Sequence, residues 1–186
     1  MKKSVFIALI CNLFSYMAYA TNATALGFEL GVATYSQVQK QLSGKTSLSD
    51  GGINAYSNGR MLKGDGSGLG IDGLSEITFI FDHSYRLAGV LMTLPKQNGM
   101  DDMNNTRFRQ TLATLSKKYH LVKKDVPFVG DSYAEFRDGN SLIELEAPHL
   151  SFTMTLIYET DALHDAFVKK SAKDRQQHDQ QQDSKF

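Results

Sequence analysis

Several groups of residues in this 186-residue chain have the types and spacing that chemistry uses. Counting from Asp65, Ser67 stands third, Gly70 sixth and Glu76 twelfth, the positions a calcium loop fills with oxygen donors and its turn glycine. Leu69 occupies the fifth position and offers no side-chain oxygen, so a calcium site here would need another geometry built on Asp65, Asp72 and Glu76. The simpler reading is a glycine turn with solvated acids. Within the same stretch, residues 68–73 fit G-x-G-x-x-G, but a strand rather than a helix follows, which removes the helix N-terminus that would hold a pyrophosphate. Ser67 in Gly66-Ser67-Gly68 lacks the G-x-S-x-G elbow that activates a nucleophilic serine. Glu144 and Glu146, two apart on a predicted strand, share a face and have the pairing of acid–base carboxylates; a solvated strand face explains them as well. His83, His120, His149, His164 and His178 include no i, i+4 pair, so no metal site is predicted and no cofactor is expected. A Ser-His-Asp set gathered from distant segments stays open, because such triads are geometric.

The elements that must position these residues centre on 76–94, EITFIFDHSYRLAGVLMTL. Ile77, Phe79 and Phe81 alternate, and Val90, Met92 and Leu94 return after the polar break at 82–85, which predicts a central hairpin covered on both faces. Pro95 ends it. Thr34 has the place of an N-cap for a helix with Tyr35, Val38 and Leu42 on one side. Phe108, Leu112, Leu115 and Tyr119 form the stripe of the main helix. Strands are predicted at 26–30, 53–56, 60–63 and 121–122, with a second hairpin over 133–147. Period-2 alternation from Leu150 through Phe152 to Tyr158 predicts a further strand. Thr160 caps a short helix carrying Leu163 and Phe167, and the Gln- and Lys-rich residues 170–186 are expected to be a disordered polar tail.

The expected fold is α+β: an antiparallel sheet of about five to seven strands packed against one main helix, with short N- and C-terminal helices. Ile77, Phe79, Leu112 and Phe152 should meet in one interior. Residues 1–20 read as a signal peptide cleaved after Ala20, with Lys2 and Lys3 before an apolar run that falls short of a membrane span. The single cysteine, Cys11, lies in that leader without a lipobox, so the mature chain, residues 21–169 plus the tail, has no disulfide. The expected location is the bacterial periplasm, with no stable membrane insertion after leader removal. Net charge is zero, and −2 once Lys2 and Lys3 leave, which gives no basic face for nucleic acid.

Residues 31–92 carry Gly31, Val38 and Leu42, then Ile77-Thr78-Phe79-Ile80-Phe81-Asp82 with Leu87. This resembles the SmpA/OmlA small periplasmic outer-membrane-assembly module, with a glycine-rich insert and a second half that depart from it. The resemblance implies an α+β protein-binding module without catalysis. A well-made core, the lack of a catalytic signature and a glycine-rich loop suited to contact give the expected function: a non-enzymatic module that binds another envelope protein, as an accessory factor or an inhibitor of immunity type. Tyr56, Asp65, Asp72, Phe128 and His149 are the expected partner-binding residues. The alternative is a small periplasmic hydrolase with a dispersed site.

Overall fold

A computed structural model describes residues 22–96 and 105–183. The predicted leader, residues 97–104 of the polar connection and the last three residues lie outside it. The chain enters through a two-stranded ribbon, β1 (Thr24–Ala25) and β2 (Phe28–Glu29), which replaces the single strand predicted at 26–30. Leu26 and Gly27 both take positive φ at its turn. Helix α1 (Tyr35–Leu42) follows, then strands β3 (Leu48–Ile53), β4 (Asn58–Asp65), β5 (Glu76–Asp82) and β6 (Leu87–Pro95). After helix α2 (Thr106–Leu115) come β7 (His120–Asp125), β8 (Ser132–Asp138), β9 (Ser141–Ala147) and β10 (Thr153–Thr160), and the chain closes in helix α3 (Asp161–Asp183).

The α+β class holds, with more strands than the five to seven expected. Eight strands form one antiparallel sheet in the order β3-β4-β5-β6-β10-β9-β8-β7, with the 76–94 hairpin in its interior. The ribbon makes a separate two-stranded sheet. The excess arises partly in the glycine-rich stretch: β3 runs through Gly51 and Gly52 rather than beginning at Ile53, and its register shifts between Asp50 and Ile53, with Gly52 at φ +80°. The turn into β4 is held by Asn54, whose side-chain oxygen accepts from the amides of Tyr56 and Ser57, both at 2.9 Å.

One face of the sheet makes the main core. Ile77, Phe79, Phe81, Val90, Met92, Leu94, Phe136, Ile143, Leu145, Met154 and Tyr158 all point into it. A register shift after Ile80 sets Leu87 opposite Phe81 and turns it into this core, where strict alternation had placed it on the other face. Three pieces cover the core. Tyr35 of α1 packs on Phe81 with ring centroids 5.1 Å apart. Phe28 of the ribbon meets Phe79 edge to face at 6.1 Å. Helix α2 packs on β8 and β9 through buried Phe108 and Leu115, with Leu112 partly buried beside them. Tyr119 follows α2 and donates its hydroxyl to the Thr24 carbonyl, tying α2 to the ribbon.

Phe152 is the exception among the four residues expected to share the interior: it is 63% exposed. The Ser151 amide donates to the Pro148 carbonyl, and the Ser151 hydroxyl accepts from the Thr153 amide, so a turn breaks the alternation before the ladder starts at Thr153.

Helix α1 shows how local sequence fixes an element. The Thr34 hydroxyl accepts from the Gln37 amide while the Gln37 side chain accepts from the Thr34 amide, a reciprocal cap. Thr34→Ala is expected to cost about 1 kcal/mol, read as a lower urea midpoint at unchanged m-value. Helix α2 lacks such a cap: Asn105 sits at φ +46°, and its side-chain amide donates to the Ser132 hydroxyl at 2.7 Å instead.

Helix α3 lies on the opposite face of the sheet, against β6, β9 and β10. This makes three layers and covers part of the hairpin's second face. Thr160 accepts from the Leu163 amide at its start, as predicted. The helix is not short, and the structure continues it to Asp183 through most of the stretch expected to be disordered. Lys, Arg and Gln are good helix formers, and residues 169–183 contain no β-branched residue, glycine or proline. Among the described residues, no helix is long and apolar enough to cross a membrane.

Candidate functional site

The antiparallel order places every strand-end loop at one of two sheet ends. The ends of β4, β6 and β9 and the starts of β5, β8 and β10 lie together, so loops 66–75, 126–131 and 148–152 share that end. Asp65, Asp72, Phe128 and His149 therefore sit at one end of the molecule. Tyr56, in the β3–β4 turn, is at the other. There it packs edge to face on Phe167 of α3, with centroids 5.1 Å apart.

The four residues at the shared end fall into two groups. At strand spacing, β5 and β8 are roughly 20 Å apart, which separates the strand ends from which the loop of Asp65 and Asp72 and the loop of Phe128 spring. Asp65 is exposed and accepts from the Ser67 amide at 2.7 Å, which holds its carboxyl below the usual range. The Asp72 carbonyl accepts from the Arg107 guanidinium at 2.8 Å, while its side chain is fully exposed. Gly73 takes φ +72°, the left-handed region that favours glycine, and a Cβ there would push the Arg107 guanidinium aside. These acids do not converge: the metal-competent clusters among the described residues do not include them.

The loops that carry Phe128 and His149 are joined to each other. The His149 amide donates to the Asp131 carboxylate at 2.7 Å, clasping loop 148–152 to loop 126–131. The buried Lys96 supports the first of these loops, with its amide on the Phe152 carbonyl and its ammonium on the carbonyls of Pro148 and His149. The two clasped loops carry Phe128, Val129, Leu150 and Phe152, which are 75%, 59%, 80% and 63% exposed. Sequence reasoning found Phe128 but assigned Leu150 and Phe152 to a buried strand face. The signal it lacked was the Pro148–Ser151 turn.

A polar cluster occupies the outer sheet face beside α3. Tyr133 of β8 donates to Glu144 of β9 at 2.7 Å and approaches Glu135 at 3.2 Å. Burial, then Glu144, hold the Tyr133 phenol protonated far above its ordinary range. Glu159, next to last in β10 and buried, has its Oε1 2.6 Å from Nδ1 of His164 in the first turn of α3. Burial pushes the Glu159 carboxyl up, and His164 pulls it the other way. Glu146 is likewise pushed up by burial and by Glu144. The Glu144–Glu146 pair was visible in the sequence. Glu159, His164 and Tyr133 were not, because cross-strand register decides which residues neighbour them.

A serine, a histidine and a carboxylate do line one pocket: Ser57, His83 and Asp82, in a space of about 240 Å³ under the start of α3. The side-chain oxygens of Ser57 and Asp82 are committed elsewhere. The Ser57 hydroxyl donates to the Phe81 carbonyl at 2.7 Å, and Asp82 accepts from the amides of Ser84 and Arg86. Among the described residues no hydrogen bond joins His83 to Ser57, so the geometry is that of a capped turn.

The class defined by these features is a three-layer α+β protein, an open antiparallel sheet between helices, with four exposed apolar side chains carried on two clasped loops. Compared with known proteins, the chain matches no family model, no curated protein and no solved structure.

Proposed function

We propose that this is a non-enzymatic protein-binding module of the bacterial periplasm, exported by a leader cleaved after Ala20, which docks another envelope protein. The observation that carries the reading is the exposure of Phe128, Val129, Leu150 and Phe152 on two loops fastened by the Asp131–His149 hydrogen bond. Isolated exposed apolar residues need no explanation, but a group of four on tethered loops has the character of an interaction site. Its two phenylalanines are the aromatic anchors an interface core uses. The resemblance of residues 31–92 to the SmpA/OmlA module agrees with binding rather than catalysis, and Asp65 and Asp72 would form a polar rim at the same sheet end.

A photoreactive residue placed at Phe152 in the exporting cell tests this. The expected result is one discrete adduct with an envelope protein, absent when the same residue replaces Ile53 at the opposite sheet end. The double variant Phe128→Ser, Phe152→Ser should reduce capture by a second probe at Leu150 at least tenfold, while its melting temperature stays near that of the parent. No adduct, or equal labelling from both ends, counts against docking at these loops. The hydrolase alternative rests on the Ser57–His83–Asp82 pocket, and it would be favoured by turnover of a generic ester that disappears in Ser57→Ala.

A further inference from the structure

Negative charge is concentrated where β8, β9 and β10 meet α3. Glu135 and Glu144 are direct cross-strand partners, Glu146 follows on the same face, and Glu159 enters from β10. Like charges placed opposite one another oppose pairing, so this arrangement calls for a nearby positive charge. Arg137 is engaged by Asp161 and Glu135. Lys123 lies over the Tyr133 ring at 5.4 Å. Of the other three, Glu144 and Glu159 face His164: a ring nitrogen of His164 and one oxygen each from Glu144 and Glu159 all lie within 4.8 Å of one another. Glu144 and Glu159 also line a cavity of about 190 Å³ walled by Tyr56, Leu91, Ile157 and Phe167. That leaves space beside the two carboxylates.

We propose that Glu144, Glu159 and His164 form a binding site for a divalent cation of the zinc type, with its fourth position open to this cavity. The donor set decides the class of ion. One imidazole and two carboxylates make a three-ligand nitrogen–oxygen site of the kind zinc takes, whereas calcium requires six to eight oxygens and magnesium several waters. His164 Nδ1 and Glu159 Oε1 already stand 2.6 Å apart, and the cation would take the place of that direct contact. The Tyr133 hydroxyl, bonded to Glu144, is the outer partner that orients this ligand. The three donors belong to β9, β10 and α3, so the ion fastens the helix to the sheet. The site goes beyond the docking proposal and shares no residue with it.

The purified full chain, stripped with chelator and titrated with Zn²⁺ alone by calorimetry, tests the site. The expected result is one saturable equivalent with micromolar or tighter affinity, and a melting temperature that rises with zinc concentration. His164→Ala and Glu144→Gln should each weaken binding at least tenfold. His178→Ala, farther along the same helix beside Asp179, should leave it unchanged. No saturable binding overturns the proposal, as does wild-type affinity in His164→Ala, or calcium binding more tightly than zinc. Circular dichroism checks that His164→Ala is folded; if it is not, the near-isosteric Glu144→Gln decides alone.

Discussion

Phe79→Ala is expected to destabilise the protein by about 3–5 kcal/mol, read from the urea midpoint. Phe79 is fully buried in β5, meets Phe28 edge to face and stands opposite Leu62 on one side and Val90 on the other. Truncation removes its transfer free energy and leaves a cavity between a sheet and a ribbon that cannot both collapse onto it. A domain of this size has only about 5–15 kcal/mol to lose, so the variant should lie near the edge of folding at 37 °C. Phe128→Ala makes the same chemical change at a residue 75% exposed and should move stability by no more than about 0.5 kcal/mol. Equal effects at the two positions would contradict the core described above.

Gly59→Ala is expected to cost about 3 kcal/mol, at the upper end of what overpacking does. A Cβ on Gly59 would stand 2.0 Å from the Phe81 carbonyl oxygen and 2.4 Å from that of Asp82. Both are backbone atoms of the neighbouring strand, so no side chain can swing away; β4 and β5 must part where their register already shifts. Gly44→Ala provides the comparison. Nothing lies within 4 Å of its Cβ position, but φ is +79°, so the cost is conformational strain of about 1–2 kcal/mol. Thermal unfolding of the two variants should rank Gly59→Ala clearly below Gly44→Ala.

The parts of this fold that could be read in the sequence are those specified by local periodicity. The 76–94 hairpin declares itself because alternate residues must leave water together, and α1 because Thr34 and Gln37 can satisfy each other's amides. What could not be read depends on interruptions or on neighbours distant in sequence. Gly51 and Gly52 resemble a loop by composition, yet pairing with β4 draws them into a strand. Leu150 and Phe152 keep the alternation of β10, but a local turn ejects them. Composition alone cannot separate a polar helix from a disordered segment, so α3 exceeded its expected length. The candidate sites divide in the same way. Phe128 and the Glu144–Glu146 pair were visible one residue at a time. Glu159 beside His164, and the separation of Tyr56 from the other four expected contact residues, follow from strand order, which alternation does not encode.

The open sheet has two rims, and each is guarded. On β3 the irregularity at Gly52 sits beside the charge of Asp50; on β7 the register shifts between Leu121 and Lys123, and Lys123-Lys124 follows. Bulges and lysines of this kind spoil the straight row of free amides and carbonyls that a foreign strand would need for annealing. At high concentration the folded chain should consequently resist edge-to-edge polymerisation, despite an unclosed sheet eight strands wide.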